Sequence, residues 1–83
     1  MVMSEMREGQ RARIVRIGGQ GPFRRRLLEM GITRGAEIYV EKYAPLRDPL
    51  ELRIKGYSIS LRVEEAAQIE VEQITGDKQD RLS

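Results

Sequence analysis

One short helix, bounded on both sides, constrains this chain more than any other stretch. Phe23-Arg24-Arg25-Arg26-Leu27-Leu28-Glu29-Met30-Gly31 follows Gly18-Gly19-Gln20-Gly21-Pro22. Pro22 suits a first helical position, where a missing N–H costs nothing. Gly31 can take the left-handed conformation that closes a helix. Phe23, Leu27 and Met30 recur at i, i+4 and i+7 and share one face, which leaves the tripled arginine exposed. A helix of about two turns does not persist alone in water, so this one must dock on the rest of the chain.

The rest reads as short strands and turns. Residues 1–10 form a lead-in, with Gly9 as a turn. Residues 11–17 have the β-branched content of a strand. Ala12 and Ile14 face one way and Val15 and Ile17 the other, a shift that needs a bulge or a strong twist. Gly31-Ile32-Thr33-Arg34-Gly35 is a tight turn in which Ile32 packs back on the helix. Residues 37–44 alternate, with Ile38 and Val40 inward and Tyr39, Glu41 and Tyr43 outward. Pro45-Leu46-Arg47-Asp48-Pro49 is a loop, because each proline moves the preceding residue away from helical angles. Residues 50–55 and 58–61 alternate around Gly56 and form a hairpin, with Leu50, Leu52, Ile54, Ile59 and Leu61 inside. Residues 62–67 make one helical turn with Glu64 and Glu65 near its positive end. Residues 69–74 are the closing strand, with Ile69 and Val71 inside.

The chain has 83 residues and no cysteine, so packing and backbone hydrogen bonds must stabilise it without a disulfide. A chain of this size buries only about 60–65% of its unfolded surface, and a small barrel limits the unpaired strand edges. The expected fold is mainly β: a small SH3-like barrel of about five strands, one short helix after the first and a helical turn before the last. An OB-type barrel ordinarily places its helix between the third and fourth strands. Residues 1–75 are expected to form this single domain, and 76–83 a polar, disordered tail.

Chemistry is restricted by what is missing. The chain has no histidine, cysteine or tryptophan. Nucleophilic catalysis with a neutral base and a transition-metal site both lack their usual groups, so neither an enzyme nor a cofactor is expected. Ser58 and Ser60 alternate outward with no evident base. Glu64 and Glu65 read as a solvated face. Gly18-Gly19-Gln20-Gly21 lacks the spacing and Lys-Ser/Thr ending of a phosphate loop and reads as a flexible strand-to-helix connection.

Fifteen Lys and Arg against thirteen Asp and Glu give a formal charge of +2. That is too little to demand a nucleic-acid partner, although Arg11, Arg13, Arg16 and Arg24 to Arg26 make the first third basic. No apolar run reaches membrane-span length and the N-terminal residues carry no signal-peptide hydrophobic region, so a cytoplasmic location is expected. Candidate contacts are Arg24 and Arg25, facing an acidic protein surface or phosphates, and the exposed apolar Leu28 and Leu46. Arg25 and Glu29 are spaced to pair. Tyr39 and Tyr43, flanking Glu41, suit either base stacking or a protein partner. Association through barrel edges into a homo-oligomer is a further reading.

Arg26-Leu27-Leu28-Glu29-Met30-Gly31-Ile32, Gly35-Ala36-Glu37-Ile38 and Ala44-Pro45-Leu46-Arg47-Asp48-Pro49-Leu50 together resemble the FeoA family. So do Gly56-Tyr57-Ser58-Ile59-Ser60-Leu61-Arg62, Glu65-Ala66 and Ile69-Glu70-Val71. The match runs from about Gly9 to Val71 in the family's order and spacing. Arg34 stands where the family often has proline, and Arg47 where glycine is common.

The resemblance implies an SH3-like barrel and a cytoplasmic accessory protein of bacterial ferrous iron uptake. The implied partner is the cytoplasmic GTP-binding region of the FeoB membrane transporter. It also associates the chain with transition-metal ion binding, while the residues offer no histidine or cysteine for a tight ferrous site. The same module ends DtxR-like iron-dependent repressors, whose helix-turn-helix domain is missing here. On this reading Arg24, Arg25, Leu28, Leu46 and Tyr43 contact the partner. Phe23, Leu27, Met30, Gly31, Gly35, Pro45, Asp48, Pro49 and Gly56 hold the fold.

Overall fold

The alternating segments build one antiparallel sheet in the computed structural model, which describes residues 1–74. Its strands are β1 (Arg11–Ile17), β2 (Glu37–Tyr43), β3 (Leu50–Ile54), β4 (Tyr57–Leu61) and β5 (Ile69–Ile74), in the order β4-β3-β2-β1-β5. Helix α1 (Gly21–Glu29) joins β1 to β2, and the single turn α2 (Val63–Ala66) joins β4 to β5. The core is the inward row of each strand: Ala12, Ile14 and Ile17, Ile38 and Val40, Leu50, Leu52 and Ile54, Leu61, then Ile69 and Val71. Leu27 of α1 and Ile32 just beyond it complete this core. The mainly β architecture expected from the alternation is the one observed. The tail expected over 76–83 lies outside the described residues.

Two features depart from the expected layout. Among the described residues no ladder joins β4 to β5, so both are sheet edges. The lead-in covers part of one: Val2 bridges Glu70, and the Val71 N–H donates to the Met1 carbonyl at 2.8 Å. Residues 1–10 are therefore more than a lead-in. Met3–Glu5 form a 3-10 turn, and Met3 and Met6 are fully buried. Unbranched and flexible, methionine fills such gaps without the periodicity that marks a strand or helix.

Each of the first two strands carries a bulge, and each bulge re-aims a side chain. In β1 the register with β5 shifts between Ile14 and Arg16. Val15 is the extra residue and turns outward, while Ile17 returns to the core instead of sharing the face of Val15. In β2 the register with β3 shifts between Val40 and Lys42, which sets Tyr43 opposite the buried Leu50. Tyr43, expected outward beside Tyr39, instead packs against the core, and its hydroxyl donates to the Met6 carbonyl at 2.5 Å.

Burial raises the pKa of the Tyr43 hydroxyl; the Arg47 guanidinium, stacked 4.6 Å from the ring centre, lowers it, and Glu8 raises it again. The unfolded chain then loses this proton first, near the usual value of about 10, while the native state keeps it. The resulting stability is fully present below that pH and is lost as pH rises through the native value. Tyr43→Phe is expected to cost about 1 kcal/mol at neutral pH through the lost hydrogen bond. Thermal melts across the alkaline range should also show a shallower loss of stability in the variant than in the parent chain.

The turns follow from local stereochemistry. Lys55 and Gly56 both have positive φ (51° and 88°) between paired Ile54 and Tyr57, the signature of a two-residue type I′ turn. Arg47 also has a positive φ, 67°. Glycine is the natural residue for that backbone, and Arg47 occupies it while stacking on Tyr43.

A candidate contact surface between the first strand and the helix

Helix α1 is held at both ends. At its start Phe23 lies over Gly19, where an added Cβ would sit 2.4 Å from the ring. Gly18 donates its N–H to the Gln68 carbonyl at 2.7 Å. The expected flexible connection is thus a close-packed one. At its end, Gly31 has φ +89°. The Gly31 and Ile32 N–H groups donate back to the Leu28 and Leu27 carbonyls at 3.0 and 2.9 Å, a complete Schellman ending. The Tyr57 hydroxyl donates to the Met30 carbonyl at 2.6 Å. Arg26 pairs with Glu65, whose carboxylate also caps α2 by accepting the Arg62 N–H at 3.0 Å. The predicted Arg25–Glu29 pair is not among the ion pairs of the described residues; Arg26 takes a carboxylate from α2 instead.

With Leu27 buried and Phe23 and Met30 half-buried, α1 presents Arg24, Arg25 and Leu28 outward. Leu28 keeps 47% of its surface exposed, and Val15, pushed out by the β1 bulge, keeps 36%. These two line an open groove of about 420 Å³ together with Arg16, Ile17, Arg24 and Arg34. The Arg24 guanidinium donates to the Ile17 carbonyl at 3.0 Å, which ties helix to strand. Arg16 pairs with Glu70 at 3.2 Å with both side chains largely exposed. Arg34 makes no ion pair among the described residues.

The other arginines of β1 present no continuous positive surface. Arg11 lies 3.6 Å from Glu37 and Arg13 2.8 Å from Glu72, so the neighbouring strands neutralise them. The tyrosine pair proposed for base stacking is also divided, since Tyr39 remains outside and Tyr43 does not. Leu46, 90% exposed, belongs to a separate cleft with Asp48, Pro49 and Arg62. Asp48 accepts the Val63 N–H at 3.1 Å and so fixes the loop against α2. The outer-facing Ser58 donates to Glu41 at 3.1 Å. Among the described residues no three carboxylates converge in a way that would hold a metal ion, and no helix is long and apolar enough to cross a membrane.

Arg24 and Leu28, singled out in the sequence, thus meet in one groove. Arg25 lies on the same exposed helix face but outside the groove lining, and Leu46 and Tyr43 belong elsewhere. Val15, Arg16 and Arg34 escaped sequence reading as site residues. The broken alternation in β1 was the signal for Val15.

The family model for the FeoA domain matches residues 1–73. The chain belongs to the FeoA family. It is 52% identical over 77 residues to an Fe(2+) transport protein A/Fe(2+) transporter FeoB fusion protein of Porphyromonas gingivalis. That match takes in 93% of this chain and 9% of the fusion protein, so the chain spans a small part of that relative's length. The solution structure of a FeoA-like protein from Clostridium acetobutylicum superposes with a TM-score of 0.85 at 36% identity, covering 99% of this chain and 95% of that one. A FeoA from Stenotrophomonas maltophilia, crystallised with zinc and described as a procaryotic SH3 domain protein, gives a TM-score of 0.71 at 25% identity. It covers 87% of this chain and 89% of its own. The SH3-like barrel expected from the sequence is therefore the fold of this FeoA-family chain, and the family is one of small accessory proteins of ferrous iron transport.

Proposed function

We propose that this chain is a non-catalytic, cytoplasmic accessory protein of ferrous iron uptake that docks on the GTP-binding region of a FeoB-type transporter and modulates transport. The observation that carries this reading is the Porphyromonas gingivalis relative, in which the matching segment and the transporter are one polypeptide. Covalent linkage keeps two parts at high effective concentration. Contact between the two parts also needs a surface. The exposed face of α1 supplies one: Leu28 as an apolar anchor, with Arg24 and Arg25 for orientation. Leu46 at the loop tip is a second, smaller contact, and Tyr43 supports it by holding Arg47 in place. The Stenotrophomonas maltophilia FeoA is itself put forward as a ferrous iron transport activating factor, which agrees with an accessory role.

A titration of the chain against the soluble GTP-binding region, with and without nucleotide and with a short DNA duplex as control, tests the reading. Saturable binding to the transporter region alone is the expected result. Arg25→Glu should weaken it by about tenfold, because rim charges govern orientation and encounter. The same variant should melt within about 0.5 kcal/mol of the parent, since Arg25 makes no ion pair among the described residues. Binding only to the duplex would contradict the proposal and move the barrel into the nucleic-acid class.

A further inference from the structure

Two exposed aliphatic side chains from different elements converge on the β1–α1 groove. Val15 reaches it because a bulge inserts an extra residue into β1, and Leu28 because it lies off the buried stripe of α1. Bulges of this kind commonly re-aim a side chain at a functional surface. The remaining lining residues with charge are Arg16, Arg24 and Arg34, and among the described residues no carboxylate lines the groove.

We propose that the groove receives one acidic, aliphatic segment of the docking partner. An aliphatic side chain sits between Val15 and Leu28, and carboxylates on either side of it pair with Arg16, Arg24 and Arg34. This rests on the docking reading above and specifies its chemistry.

The charges select the occupant. A neutral or basic segment would cover three guanidinium groups without offering them a partner, which is costly. Arg24 is already oriented by the Ile17 carbonyl, which leaves further N–H donors for a carboxylate. The Arg16–Glu70 pair is exposed, and pairs of that kind are worth little, so a carboxylate from the partner displaces Glu70 at small cost. The floor selects as well. Among the described residues it holds aliphatic side chains and no aromatic ring, so these offer nothing for a nucleobase to stack on. A groove of about 420 Å³ takes one or two side chains of a segment and not a folded surface. Association should weaken as salt rises, because the rim charges are exposed to screening.

The test maps amide chemical shifts of the isotopically labelled chain in two parallel titrations. One uses the transporter's soluble GTP-binding region. The other uses a short synthetic peptide of leucine flanked on both sides by glutamates, with its glutamine counterpart as control. Val15→Ser and Arg34→Glu are compared with Glu64→Gln, which lies on α2 outside the groove, all three at exposed positions and checked for unchanged spectral dispersion. The expected result is that both glutamate peptide and transporter region shift residues 15–17, 24–28 and 34. Val15→Ser and Arg34→Glu should each weaken binding by about tenfold or more, with Glu64→Gln within about twofold. If the transporter region binds but its shifts fall on residues 43–48 and Val15→Ser and Arg34→Glu bind normally, the groove proposal is overturned and the docking reading survives. If the glutamate peptide seats in the groove while the transporter region does not bind, the docking reading fails and the groove's chemistry stands. Binding of neither, or equal binding of the glutamine peptide, overturns the proposal.

Discussion

Leu27→Ala is expected to lower stability by about 2–5 kcal/mol, the range for truncating a fully buried leucine in a close-packed core. Leu27 is entirely inaccessible, and it is the one α1 side chain wholly inside the barrel. The cost is large against the total, because a domain of this size has only about 4–12 kcal/mol of stability at typical per-residue values. Each kcal/mol moves the melting temperature of such a domain by about 4–8 °C, so a drop of at least about 8 °C should appear in a thermal melt. The variant would also release the face that carries Arg24 and Leu28. Loss of partner binding by Leu27→Ala would therefore report on folding, and contact residues are better tested at exposed positions.

Gly31→Ala should cost about 2–3 kcal/mol, an unusually large effect for adding one methyl group at the surface. Two separate causes add. A φ of +89° lies where L-residues with a Cβ are disfavoured by about 1–2 kcal/mol. The new Cβ would also lie 2.1 Å from the Tyr57 hydroxyl oxygen. Tyr57 must then move and give up its bond to the Met30 carbonyl, worth about 1 kcal/mol. A double variant separates the causes. With Tyr57→Phe the clashing oxygen is gone, and the nearest ring atom left to the Cβ is 3.4 Å away. Tyr57→Phe, which costs about 1 kcal/mol in the parent chain, should consequently cost nothing in the Gly31→Ala background, where the bond is already lost. A full cost of about 1 kcal/mol for Tyr57→Phe in that background would show that the bond survives, place the whole effect in the backbone and contradict a steric role for Tyr57.

Much of this structure was legible where local chemistry and tertiary structure agree. Alternation in residues 50–61 pointed Leu50, Leu52, Ile54, Ile59 and Leu61 inward; Ile59 is half-buried against the core and the other four are buried. Pro22 and Gly31 bounded α1 because their backbones suit only helix ends. Legibility failed where a single inserted residue decided the face. The β1 bulge showed as broken alternation, though not that it turns Val15 out and Ile17 in; the β2 bulge that turned Tyr43 in left no mark, since it depends on the register of a neighbouring strand. Met3 and Met6 were unreadable for a different reason: they fill the core from a segment with no period. Arg24 and Leu28 were visible as exposed helix residues. Their meeting with Val15, Arg16 and Arg34 was not, because it exists only once β1, α1 and the turn before β2 are packed together. The basic first third was a partial misdirection of the same origin, since the carboxylates that neutralise Arg11 and Arg13 come from β2 and β5.

The most direct test of an accessory role exerted by contact is ferrous iron uptake in cells whose own copy of this gene is deleted. The parent chain should restore uptake. Arg34→Glu, which is exposed and expected to fold normally, should restore little of it at equal cellular abundance. Uptake that is indifferent to the deletion, or restored in full by Arg34→Glu together with Val15→Ser and Arg25→Glu, would contradict a role through this surface.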